Sequence, residues 1–303
     1  MLGKRDIENE LGKGINIYPF HEKNLKENSI NFTVGQNAWT LGKGSVKKKS
    51  KGTYCLVTAS EKNNKNIISF QKGKSAIVQE GNEKYMILLP HSTTIVETSE
   101  VLSVSNYIGG TFHSKVGIVN LGIGDIGTML GPCFSGHLMF ALHNITDEVR
   151  TLKVGETFVS LIFYYLKTAN DNMKNTNMSG HVDKLSELNI YIDSTTREYL
   201  TEEWKQDIKQ VSKKMKESEE YKKYLTNRRE YEMDEYKRYL TPKNIGIGFA
   251  LAVCILLLGI AAYYADVKCN TTVWEDRFWT VIITSIIVPF IISSKKIFKK
   301  RDN

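Results

Sequence analysis

The sequence predicts a mainly-β domain, an all-β barrel or sandwich, followed by a long α-helix and a two-helix membrane hairpin. Three observations predict this order: short β-rich runs punctuated by Gly and Asn through the first half, a 4-3-4 apolar seam starting at Trp204, and two charge-free apolar runs near the end. With 303 residues and 41% hydrophobic content, the chain has material for a packed core as well as membrane spans.

The elements are expected in this sequence. RDIENELGKG is a short charged helix closed by Gly12 and Gly14, and INIYPF and SINFTVG alternate as strands. KGSVKKKSK, at 43–51, is strongly basic and reads either as a solvated hairpin loop or as one that attracts anions. TYCLVTAS, NIISFQ, SAIVQE and YMILLP are short and β-rich, which argues against a parallel α/β sheet. From Thr98 to Leu166, β runs alternate with glycine turns and close a β domain over 1–168. A polar, asparagine-rich linker is expected over 169–194. Thr195 and Glu198 then form a capping-box pattern opening a helical stalk over 195–243. Trp204, Ile208, Val211 and Met215 share one seam, which loses regularity at Ser218 and Lys222. Such a helix is either a strut packed once on the barrel or a self-associating stalk.

The run at 245–264, IGIGFALAVCILLLGIAAYY, holds twenty residues without a charge. At about 1.5 Å per residue it matches a hydrocarbon layer of roughly 30 Å. A second span is expected at 278–294, with Pro289 tolerated as a kink, after a loop at 265–277. Gly246 with Ala250 and Gly248 with Ala252 permit close helix contact, while Thr280, Thr284 and Ser285 serve helix packing or line a pore. Basic residues crowd both outer flanks, including the tail at 295–303, whereas the loop has only Lys268 and Arg277. This predicts a two-pass protein of the cell (inner) membrane with both termini cytoplasmic, and the N-terminus lacks the apolar stretch of a signal peptide. The net charge of +8 comes in good part from these flanks, so nucleic-acid binding is not expected. Cys55, Cys133, Cys254 and Cys269 show no CxxC spacing, which predicts neither a zinc site nor a disulfide framework.

Six segments carry a resemblance. LGKRDIENELGKGINIYPF resembles the opening of the dCTP deaminases, and ENSINFTVG their "ASVDLRLG" strand. LLPHSTTIVETSEVLSV is similar to "LxPGxFxLAxTxExVxL", keeping Thr98 and Glu100. HSKVGIVNLGI, LGPCFSGHLMFALHN and KVGETFVSLIF stand where that group has "RSSLARLGL", "IDPGWSGxIxLELxN" and "RPGMxIGQLxF". The chain thus resembles the dCTP deaminase and dUTPase superfamily, nearer its deaminase branch, over about residues 2–166. The resemblance implies a distorted β-barrel of jelly-roll type, usually trimeric, with nucleotide sites where subunits meet and no metal or other cofactor.

It also implies what is missing. The Glu of "LELxN", which shuttles protons in deamination, aligns with Ala141, and a methyl group cannot accept a proton. The Asp that orients water in dUTPases aligns with Gly131, the Arg of "SSLARLG" with Ile118, and the second phosphate-contacting Ser with Lys115. Asp125, Asp147 and Glu148 lie outside the strand that would need a carboxylate. No catalytic residue is therefore assigned. A ligand pocket is expected from His113, Ser114, Lys115, Gly131, Phe134 and Ala141; alternatively, His113 and Lys115 are exposed strand-end residues. The expected function is a catalytically inactive nucleotide-sensing domain coupled to a membrane effector. Its partners would be a nucleotide or cyclic nucleotide, the lipid bilayer, and copies of itself in a trimer or multiple of one. The architecture resembles anti-phage effectors that fuse a nucleotide sensor to membrane helices. The competing expectations are a membrane-anchored dCTP deaminase or dUTPase with relocated catalytic groups, and a membrane scaffold that binds protein only.

Overall fold

A computed structural model of the chain describes residues 1–57, 67–124, 127–169 and 179–239, with positions 257, 259 and 260. The chain divides into two units, Met1–Leu225 and Thr226–Asn303. Both expected membrane spans, apart from the three positions at 257, 259 and 260, lie outside the described residues, as do their loop and tail. Among the described residues no helix is long and apolar enough to cross a membrane.

The first unit opens with α1 (Lys4–Glu10), where Gly3 N–H donates to Asp6 Oδ2 at 3.0 Å and Ile7 is buried. Strands follow in close succession: β1 (Ile15–Tyr18), β2 (Ile30–Thr40), β3 (Gly44–Ser50), β4 (Thr53–Leu56), β5 (Ile67–Phe70), β6 (Ile77–Glu80), β7 (Glu83–Leu88), β8 (Ser92–Val104) and β9 (Ile108–Ser114). A short helix α2 (Val116–Val119) precedes β10 (Ile123–Gly124), β11 (Met129–Leu130), β12 (Ser135–Asn144), β13 (Arg150–Lys153) and β14 (Thr157–Tyr165). The main sheet runs β10-β12-β8-β2-β14-β9-β11, with β1 added beside β8, and curls into a half-barrel. Register shifts in β2, β12 and β14 supply the curl, because a bulge bends its strand and increases local twist. Phe32, Phe112, Phe140 and Phe158 form an edge-to-face chain through the concave side, with centroids 6.2, 5.0 and 5.4 Å apart, the geometry aromatic quadrupoles favour.

The basic stretch at 43–51 is a strand, not a hairpin loop. It is β3 and the turn into β4, and acidic partners meet two of its lysines: Lys48 lies 2.9 Å from Glu80 and Lys51 2.8 Å from Glu83, which Lys153 also meets at 2.6 Å. Hydrogen bonds from Lys153, Lys51 and Tyr85 hold the Glu83 carboxyl down at about 2.

The C-terminal helices depart from a polar linker and one continuous stalk. Within 169–194, a 3-10 turn (Ser179–His181) leads into α3 (Val182–Glu187). Four helices replace one: α4 (Ser194–Thr201), α5 (Glu203–Gln206), α6 (Ile208–Glu217) and α7 (Glu219–Tyr239). The N-cap of α4 is Asp193, accepting from Thr196 N–H at 2.9 Å and Thr196 Oγ1 at 2.8 Å, instead of the expected capping box of Thr195 and Glu198. Breaks fall at Glu202, Asp207 and Ser218, all in extended or non-helical backbone, and Asp207 caps the helix that restarts after it. The seam is used against the barrel. Val211 and Met215 are buried, Met215 Sδ accepts from Ile17 N–H at 3.0 Å, and Trp204 meets Tyr18 edge-on at 5.6 Å. Tyr221 and Tyr224 then pack on Phe20 at 5.3 and 5.2 Å. Gly12, at φ +77°, admits this approach: a Cβ there would stand 2.9 Å from Tyr221 Oη. In the second unit, α7 carries an Arg228 to Glu232 ion pair of 2.9 Å.

Candidate functional site

His113, Ser114 and Lys115 lie at the end of β9 and Ala141 on β12, which three other strands separate in the main sheet, while Gly131 and Phe134 lie in the loop before β12. At the end of β9, His113 is exposed, its Nε2 3.2 Å from Thr111 Oγ1, and Ser114 is half-buried. Lys115 caps α2 from extended backbone, and its Nζ donates to Thr157 Oγ1 at 2.5 Å. Ile118, at the expected Arg position, is buried in the barrel core and holds nothing outside it.

The second patch lies under the chain's own helices. Ala141 and Met139 of β12 pack with Trp39, Ile95, Val182, Leu185 and Leu200 in an apolar cluster, so α3 and α4 roof Ala141, the position expected from the motifs to replace a catalytic Glu. Phe134 is buried, its ring centroid 6.4 Å from that of His181. Gly131 is exposed and opens onto space, with no atom within 4 Å of where a Cβ would stand. Asp147 and Glu148 turn to their own neighbours, Asp147 to His91 at 2.7 Å and Glu148 to Arg150 at 2.9 Å, while Asp125 lies outside the described residues.

A set of ionisable groups that the motifs do not single out sits beside Ala141. Ladder pairs Ile95 with Ala141 and Glu97 with Met139 set Glu97 two residues along the same face. The β2 bulge wraps its carboxyl: Glu97 Oε1 accepts from Gln36 N–H at 3.1 Å, Asn37 N–H at 3.0 Å and Asn37 Nδ2 at 2.8 Å, while Oε2 is buried without a partner. Gly35 makes this possible, because a Cβ there would lie 2.3 Å from Glu97 Cγ and 2.8 Å from its carbonyl oxygen. Burial pushes the Glu97 carboxyl up to about 7, against the hydrogen bonds from Asn37. Burial, helped by the charge of Lys205, pushes His137 down to about 3, and its Nδ1 lies 3.0 Å from the Thr98 carbonyl.

Helices α4 and α5 seal this cluster. Lys205 is 2% exposed, its Nζ standing 3.5 Å over the Tyr199 ring and donating to the Tyr199 carbonyl, and Ser135 Oγ donates to the Lys205 carbonyl at 2.8 Å. Burial lowers the Lys205 ammonium, while burial and Glu97 raise the Tyr199 phenol. Thr98 and Glu100, the retained motif residues, stitch the strands. Thr98 Oγ1 accepts from Leu138 N–H at 3.3 Å, and Glu100 accepts from Thr33 N–H and Oγ1 at 2.9 and 2.8 Å. The signal for Glu97 was a charged residue inside an apolar strand; its partners Asn37 and Lys205 come from distant segments. Among the described residues, no group of His, Cys, Asp or Glu converges as metal ligands.

A family model described as dCTP deaminase-like matches residues 1–166, more than half of the chain. The chain belongs to the dCTP deaminase-like family. No curated protein matches it. Solved structures similar to this family member include the 2'-deoxycytidine 5'-triphosphate deaminase of Agrobacterium tumefaciens, at 12% identity and TM-score 0.35, covering 54% of this chain and 45% of that one. The chain thus spans less than half the length of that deaminase. Others are a Staphylococcus bacteriophage 80alpha dUTPase mutant with dUpNHpp, at 11% identity and TM-score 0.26, covering 34% of this chain and 90% of that one, and the EIAV dUTPase, at 15% identity and TM-score 0.26, covering 45% and 98%.

Proposed function

We propose that this member of the dCTP deaminase-like family binds a nucleotide or cyclic nucleotide without turning it over, and that helices α3–α7 relay the bound state to a membrane-spanning hairpin at 245–294. Ala141 carries the reading. It stands at the family's proton-shuttling carboxylate, and its methyl packs under the apolar residues of α3 and α4. The methyl group of Ala141 cannot accept a proton, and the apolar residues packed against it disfavour a charged side chain there.

Binding is assigned to the β9 end, where Lys115 supplies a positive charge and His113 a ring beside Ser114. A jelly-roll trimer would bring the β9 end of one subunit to a neighbour and complete the site. Val116, Val119, Met129 and Ile145, which are 75%, 52%, 79% and 72% exposed around α2 and the neighbouring strand ends, support such an interface. A ligand that binds one arrangement of the subunits better than another shifts the population of the stalks and hence of the hairpin. In this reading the protein is a two-pass effector of the inner membrane, opening or disrupting the bilayer in anti-phage defence.

Glu97 favours a second reading, a membrane-anchored enzyme of pyrimidine deoxynucleotides. It offers a carboxyl that titrates near neutral pH on the same face as Ala141. The roof of α4 and α5 over it favours the first.

A thermal-shift panel of dCTP, dUTP and cyclic nucleotides on the purified full chain tests the binding claim. A ligand at 100-fold its Kd should stabilise the protein by about 2.7 kcal/mol, and Lys115→Ala should lose most of that gain. A panel in which nothing shifts the melting temperature sinks the reading.

A further inference from the structure

A groove of about 550 Å3 lies between the N-terminal turn and α6, away from the β9 and β12 patches. Lys13, Lys209, Lys213, Lys216 and Lys222 line it, together with the single carboxylate Glu217. Lys209, Lys213 and Lys216 follow an i, i+4, i+7 spacing that puts three ammonium groups on one helix face. Lys213 faces Glu217 at 3.9 Å and Lys222 faces Glu219 at 2.8 Å, and the lining itself sets five lysines against one carboxylate.

At the bottom is Asn16 of β1, fully buried, with neither Oδ1 nor Nδ2 partnered. Its ladder partner Ser103 on β8, also fully buried, has a hydroxyl that likewise lacks a partner. Leaving a buried polar group without a partner is costly, and an apolar side chain of similar size would avoid that cost. A polar floor under lysine walls suits a ligand carrying an anion and, next to it, a group that both donates and accepts hydrogen bonds.

We propose that this groove binds a phosphate ester bearing a neighbouring hydroxyl or amide: the α6 lysines hold the phosphate and the Asn16 amide holds the adjoining polar group. Lysines act here as point charges that tolerate several phosphate orientations, whereas Asn16 sets where the ligand sits. The site uses β1 and α6 and does not depend on Lys115 or Ala141. A soluble phosphate ester and a lipid headgroup share this chemistry.

Titration calorimetry on the purified full chain in neutral detergent separates the two sources. Glycerol phosphate is the soluble probe; dihexanoylphosphatidylglycerol is the lipid probe, with dihexanoylphosphatidylcholine as its control. Binding of either probe is expected to weaken at least tenfold in the double variant Lys209→Glu, Lys213→Glu, whose exposed positions leave folding untouched. Asn16→Leu should raise the melting temperature of the unliganded protein and still weaken binding at least fivefold, and Lys115→Ala should leave binding unchanged. If Asn16→Leu does not fold, Asn16→Ala serves for the binding measurement. No binding in either arm overturns the proposal. So does binding that ignores the lysine pair or the Asn16 substitution, since the groove would then hold water or counterions only.

Discussion

Glu97 is held by a bulge that only glycine allows. Ala at position 35 would drive a methyl into the Glu97 Cγ and carbonyl, both of which belong to the central strand β8. Gly35→Ala is therefore expected to destabilise the protein by about 1–3 kcal/mol, as overpacking does, measurable by urea unfolding. A neutral result would mean that the bulge relaxes freely. The Glu97 carboxyl makes a second prediction. Its value rises from 4.5 to about 7, so the native state holds the proton more tightly and stability falls as pH climbs through that window. The penalty is complete above it, at about 3 kcal/mol as an upper bound. His137 acts oppositely, moving from 6.5 to about 3, so stability gained from it rises with pH over that range and offsets Glu97 between them. Lys205 and Tyr199 face the same pair from α5 and α4. Glu97→Gln should thus gain on the wild type as pH rises from 5 to 8, read as a growing difference in melting temperature. A difference independent of pH would show that Glu97 is not held protonated. At this scale, the strand carrying Ala141 was legible because its periodicity and the motifs on either side of it agree. Glu97 was not, because its environment depends on a bulge and on a lysine from a helix far along the chain.

Among elements, the seam of Trp204, Val211 and Met215 was visible as helical periodicity, and its use was not. Trp204 lies in α5 and Ile208, Val211 and Met215 in α6, so the apolar spacing runs across the break at Asp207 and hides it. Asp207 and Ser218 prefer caps to helix interiors, and that preference was the local signal for both interruptions. The residues before α4 also outran their reading: Val182, Leu185, Ile190 and Ile192 are buried in the apolar roof, although the asparagine-rich stretch before them reads as a linker. This roof predicts the outcome of restoring the family acid. Ala141→Glu would place a charge under α3 and α4 and should cost about 2–4 kcal/mol at pH 8 by urea unfolding, without creating dCTP turnover. A stable variant that deaminates dCTP would mean that the roof opens easily and that the site is a working one lacking one residue.

The whole molecule joins a family domain over residues 1–166 to helices that close over its face and to two apolar runs. Its fold class was legible because strand periodicity and six ordered motifs agreed; the way α3–α6 return to the barrel was not, since that depends on contacts between distant segments. The central claim is that nucleotide is bound and not consumed. Chromatography of dCTP and dUTP held at saturating concentration with the purified full chain, read for ammonia, deaminated nucleotide and pyrophosphate, tests it most directly. Intact nucleotide after prolonged incubation, alongside a raised melting temperature, is the expected result. Turnover that disappears in Glu97→Gln would contradict it.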